Sequence, residues 1–76
     1  MRDVSKIREH MEVVGSDGEH VGTVDHMDGG RIKLTKTDPA AGGEHHYLSP
    51  DHVQSVDDKV HLSMTAADAK ASFSAA

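Results

Sequence analysis

The run Val13-Val14-Gly15-Ser16-Asp17-Gly18-Glu19-His20-Val21-Gly22-Thr23-Val24 is the most informative part of this 76-residue chain. Asp17-Gly18 stands between two valine-bearing segments, and an Asp-Gly pair so placed is a strong hairpin signal because glycine takes the positive φ that a tight turn needs. The spacing predicts a first strand over Met11–Val14 and a returning strand over His20–Met27. Val21 and Val24 are three apart, which breaks the period of two. Gly22 between them is where a bulge would turn both valines to the core and bend the strand.

Working outward from this hairpin, Asp28-Gly29-Gly30 is a turn, and Arg31-Ile32-Lys33-Leu34-Thr35-Lys36 alternates cleanly. Ile32 and Leu34 are predicted inward, with Arg31, Lys33 and Thr35 outward. A loop over Asp38-Pro39-Ala40-Ala41-Gly42-Gly43 leads to a strand over Glu44-His45-His46-Tyr47-Leu48, which ends at the proline turn Ser49-Pro50-Asp51-His52. Val53–Val56 and Lys59–Met64 flank Asp57-Asp58 as a last hairpin, with Val60, Leu62 and Met64 on one face. Thr65 reads as an N-cap, with Asp68 in the first turn and alanines at 66, 67, 69 and 71, so a short C-terminal helix follows. Asp3 to Ile7 reads as a capped turn into the first strand. Residues 1–6 and 72–76 are expected to fray, with Phe73 able to dock on the sheet. The expectation is one small all-β domain over residues 1–76, five or six strands with that short C-terminal helix.

Composition narrows the possible functions. Leu, Ile, Val and Phe number fourteen among 76 residues, so any core is thin, and a dimer interface or a metal would help to stabilise it. The formal charge is −5, which argues against nonspecific binding to nucleic acid or to anionic lipid. Seven histidines bring the charge to the positive side if all are protonated, so the sign changes below neutrality. No cysteine is present, which excludes disulfides, thiolate metal sites and thiol catalysis. Neither a secretory signal nor a membrane-length apolar run occurs, and a cytoplasmic location is expected.

The Asp17-Gly18-Glu19-His20-Val21-Gly22-Thr23-Val24 stretch, then Ile32-Lys33-Leu34, His46-Tyr47-Leu48-Ser49-Pro50-Asp51-His52-Val53 and Val60-His61-Leu62, resembles the PRC-barrel superfamily. More narrowly, Met11-Glu12-Val13-Val14, Asp17-Gly18, Val21-Gly22-Thr23-Val24-Asp25 and His45-His46-Tyr47 resemble the uncharacterised bacterial proteins grouped as domain of unknown function 2171. The resemblance spans Ile7 to Ala69. It implies a small PRC-barrel-like fold and a role in assembly or docking, often as a dimer, with no family catalytic residues to carry over.

Candidate chemistry divides between surfaces and histidines. Arg31, Lys33 and the nearby Lys36 form a basic stripe on an acidic protein, and Arg31, Lys33, His45 and Tyr47 are the expected contacts for an unidentified protein partner. Without aromatic stacking residues the stripe does not point to nucleic acid. Four methionines and short sheet edges fit a homodimer, methionine adapting to irregular surfaces. The alternative is a histidine-based binder of a divalent transition metal such as zinc, drawing on His20, His26, His45 and His46, or the same histidines titrating at an interface. His45 and His46 are adjacent and would face opposite ways on a strand, so ligands would have to come from neighbouring strands. Ser49, Asp51 and His52 carry the letters of a catalytic triad, but the run reads as a capped turn and the chain is not expected to be an enzyme. Asp57-Asp58 reads as hairpin residues, Asp17-Gly18-Glu19 lacks the other ligands of a calcium loop, and Gly29-Gly30 is too short to cradle phosphate.

Overall fold

The computed structural model describes residues 6–35, 45–72 and 74–75. Most of the turn at Asp3–Ile7, Lys36, the Asp38–Gly43 loop, Glu44 and Phe73 lie outside the described residues.

Glycine and aspartate set the hairpins. Strand β1 (Glu12–Val14) turns through Asp17-Gly18 into β2 (His20–Asp28), with Gly18 at φ 79 and the Gly15 amide donating to the Glu19 carbonyl at 2.9 Å. Val13 lies opposite Gly22 and Val14 opposite His20, so Val21 is the extra residue of a bulge. That bulge lets Val21 and Val24 both face inward, at 1% and 0% exposure. Gly22 also has a packing reason, because a Cβ there would come within 3.1 Å of Leu34 Cδ1. Between β2 and β3 (Arg31–Leu34), Gly29 and Gly30 take φ 59 and 84, the pair of positive values that a two-residue hairpin turn of the primed type requires.

Strand β3 pairs antiparallel with β4 (His46–Leu48), Ile32 opposite Leu48 and Lys33 opposite Tyr47. The tail read as frayed carries a two-residue strand, β7 (Ser74–Ala75), which pairs with His46 and Tyr47. On the far side β5 (Val53–Val56) and β6 (Val60–Leu62) form the last hairpin. β6 runs parallel to β1, with Val13 opposite Val60 and Val14 opposite His61. The helix α1 (Ala66–Ala71) starts at Thr65, whose hydroxyl accepts from the Asp68 amide at 3.2 Å, and buries Ala66 and Ala69.

The strand order is β5-β6-β1-β2-β3-β4-β7. β4 and β5 are sixth and first in that order, yet only residues Ser49–His52 join them. A flat sheet would hold them about 24 Å apart at ~4.8 Å per strand. Five residue steps reach only about 18 Å even when extended, so the sheet must curl until β4 approaches β5. The result is the expected small all-β fold, with barrel-like curvature and an open sheet: no ladder joins β5 to β4 or β7 among the described residues. The reason lies in the link. Pro50 has no N–H to give to a ladder, and a 3-10 turn over Pro50–His52 redirects the chain so that β5 pairs with β6.

One cluster of buried side chains fills the curled sheet, including Val13, Val21, Val24, Ile32, Leu34, Leu48, Val60 and Leu62, with Met11, Met27, Val56 and Met64 half-buried against it.

Candidate functional site

The hairpin β2–β3 and strand β4 together build an outer face. Ile32, Leu34 and Leu48 point into the core, so the two-residue period sends Arg31, Lys33 and Tyr47 to the other side. Across β2 the same face receives Asp28 opposite Arg31 and His26 opposite Lys33. The Arg31 guanidinium carbon lies 4.1 Å from the centre of the Tyr47 ring, in the geometry of a cation–π contact. Tyr47 is only 6% exposed, and its hydroxyl points to Asp28 Oδ2 at 3.4 Å. Tyr47 is therefore a fixed platform, with Arg31 held across it.

Arg31 is exposed and Lys33 half-buried, and neither forms a salt bridge among the described residues, although the whole chain carries thirteen carboxylates. The opposing Asp28 engages the tyrosine hydroxyl instead of Arg31. Chemically, the face offers a guanidinium flattened on a ring and a neighbouring ammonium, donors suited to carboxylates.

The structure brings Arg31, Lys33 and Tyr47 together and sets the fourth expected contact, His45, at the adjoining bulge of β2. His45 precedes β4, and its Nδ1 lies 3.0 Å from the Leu34 carbonyl and 3.9 Å from Asp25 Oδ2. The other Asp25 oxygen is 3.6 Å from His26 Nδ1. Asp25 takes this position because it is the extra residue between the Val24–Leu34 and His26–Lys33 pairs, a second bulge that no glycine announces in the sequence.

The four histidines considered as metal ligands do not meet in one cluster among the described residues. His20 Nδ1 bonds Glu12 Oε2 at 2.9 Å on the β1–β2 ladder, and His46 is paired in β4 with Leu34 and Ala75. His26 and His45 share Asp25. His20 and His26 are six residues apart on one strand, about 20 Å at ~3.3 Å per residue, too far to hold one ion together. The hydrogen bond from His20, followed by Lys59 Nζ at 3.5 Å, holds the Glu12 carboxyl below its ordinary range.

Sequence reasoning missed one grouping. Asp57, Asp58 and His61 meet at the β5–β6 turn, with His61 Nε2 2.9 Å from Asp57 Oδ1. The signal was an Asp-Asp pair followed by histidine four residues on from the first, which becomes a cluster only when the hairpin register is known.

Two comparisons with known proteins bear on the chain. The model of a family described as an uncharacterised protein conserved in bacteria matches residues 7–70. No curated protein matches it.

Proposed function

The chain belongs to that bacterial family, domain of unknown function 2171, and from this premise we propose that it is a non-catalytic docking module that binds carboxylate-bearing segments of a protein partner. The observation that carries the reading is the Arg31–Tyr47 stack beside Lys33, two cations left without carboxylate partners among the described residues of an acidic chain. A guanidinium already immobilised on a buried ring loses less side-chain freedom on binding than a free one, so the face is preorganised for its ligand.

The non-catalytic part of the reading is supported at Ser49, whose hydroxyl is engaged in accepting from the Asp51 amide at 3.2 Å as the cap of the 3-10 turn. A homodimer is part of the same proposal. The sheet ends in two edges, β5 and β7, and three of its methionines are only half-buried, which favours coverage by a second copy. The PRC-barrel relationship belongs here too, supported by the curled arrangement of short strands around one apolar cluster. No helix among the described residues is long and apolar enough to cross a membrane.

The test compares immobilised wild type with the double charge reversal R31E/K33E as bait in a bacterial lysate, followed by identification of the retained proteins. The reading expects a set rich in acidic segments that the reversed face fails to retain. Identical sets on both baits would remove the docking face from the account.

A further inference from the structure

The turn between β5 and β6 gathers a mixed set of donor atoms. Asp57 and Asp58 lie in the turn and His61 on β6, and one ligand atom from each lies within 4.8 Å of the others. We infer that Asp57, Asp58 and His61 form a surface binding site for a divalent transition metal ion of the zinc or nickel class.

Three features carry the inference beyond an exposed pair of acids. The first is a nitrogen donor in a fixed place. His61 is locked in the middle of the ladder, opposite Val14 of β1 on one side and Ser55 of β5 on the other, so its backbone cannot drift from the turn. One imidazole with two carboxylates is a set that suits zinc or nickel, whereas calcium and magnesium prefer oxygen alone.

The second feature is that no basic side chain competes for the carboxylates. Lys59, the cation inside the turn, extends its ammonium to Glu12 at 3.5 Å, and no lysine or arginine pairs with Asp57 or Asp58 among the described residues. A divalent cation would therefore displace no lysine or arginine from either aspartate.

The third is that the ligands need little movement. Donors on a tetrahedral zinc ion stand about 3.4 Å apart for bonds of ~2.0–2.1 Å. Nε2 of His61 is already 2.9 Å from Asp57 Oδ1, which the Lys59 amide also holds at 2.9 Å, and Asp58 is exposed beside them. In the tautomer with its hydrogen on Nδ1, His61 presents the Nε2 lone pair to the metal, and the metal replaces its present contact with Asp57 Oδ1.

This site is independent of the docking face, which lies across the sheet on β3 and β4. The experiment is a zinc chloride titration of untagged, isotopically labelled protein followed by NMR, in a buffer that does not chelate. The expected result is saturable shifts centred on residues 57–61, weakened about tenfold or more in H61Q and in D58N. The pair H20Q/H45Q should bind as wild type does. D58N is preferred to a change at Asp57, because Asp57 Oδ1 also accepts from the Lys59 amide at 2.9 Å and its loss would loosen the turn itself. Shifts centred on His26, Asp25 and His45, unaltered binding by H61Q, or no shift at millimolar zinc would each overturn the inference.

Discussion

Gly15 shows how much one missing side chain can matter. It is buried where the start of α1 crosses the first hairpin, and a Cβ there would overlap the Ala66 amide and lie 2.8 Å from the Thr65 carbonyl carbon. Both neighbours are backbone, so neither can rotate away. G15A is expected to lose about 2–4 kcal/mol, in the range of an overpacked or strained site, read as a lower urea midpoint with unchanged slope. In the sequence Gly15 stands between the predicted first strand and the Asp17-Gly18 turn, with nothing local to mark it. Its real constraint comes from residue 66, far along the chain, and no local pattern reports such an approach. His10 is similar: it adopts φ 68, in the left-handed region, before β1, and nothing in Glu9-His10-Met11 signals it. By contrast the roles of Gly29 and Gly30 were legible, because a two-residue turn between alternating strands is a local affair.

Elements are tied together here by single polar side chains. Asp17 accepts from the Glu19 amide at 3.4 Å inside its own turn and from the Ala66 amide at 3.3 Å at the helix start, so it joins the first hairpin to α1. D17A removes an acceptor from an N-terminal helix amide and should cost about 1 kcal/mol, with faster hydrogen exchange in Ala66–Ala71 than in β2. Glu12 links β1 to His20 on β2 and to Lys59, and Asp57 holds the β5–β6 turn through the Lys59 amide and His61. Both carboxyls titrate lower in the folded chain than when free, from 4.5 for Glu12 and from 3.8 to about 2 for Asp57. Groups depressed by folding add stability that is complete above their unfolded values and is lost as pH falls through the folded ones. Urea midpoints should therefore decline between about pH 4.5 and 2, and E12Q/D57N should flatten that decline. Equal slopes in variant and wild type would refute the assignment. Most elements were readable from period and turn chemistry: the Val21–Val24 bulge, the Ile32–Leu34 alternation and the Thr65 cap all appear as expected. The parallel contact of β1 with β6 was not readable, since it joins Val13 to Val60 with no turn residue between them to announce the pairing.

At the scale of the whole molecule, one link controls the shape. Ser49–His52 joins strands from opposite ends of the sheet order, and its shortness forces the curl that a row of hairpins alone would not impose. The all-β class was readable from the turn signals and the barrel was expected from the family resemblance; the open seam beside β5 was not readable, because the proline turn marked a bend without saying which neighbour the next strand would choose. The outer face was legible to the extent that it follows the period of two, which placed Arg31 and Lys33 outward. The stacking of Arg31 on Tyr47 depends on the β3–β4 register, and the approach of His45 to Asp25 depends on a bulge without a glycine. The most direct measurement of the docking account is an NMR titration of the untagged protein with a synthetic peptide alternating glutamate and leucine, at low and at moderate salt. The account predicts saturable shifts at Arg31, Lys33 and Tyr47, weaker binding at higher salt, and at least about tenfold loss in R31A/K33A, equivalent to ~1.4 kcal/mol. Shifts that fall elsewhere, or binding that the double variant retains in full, would contradict it.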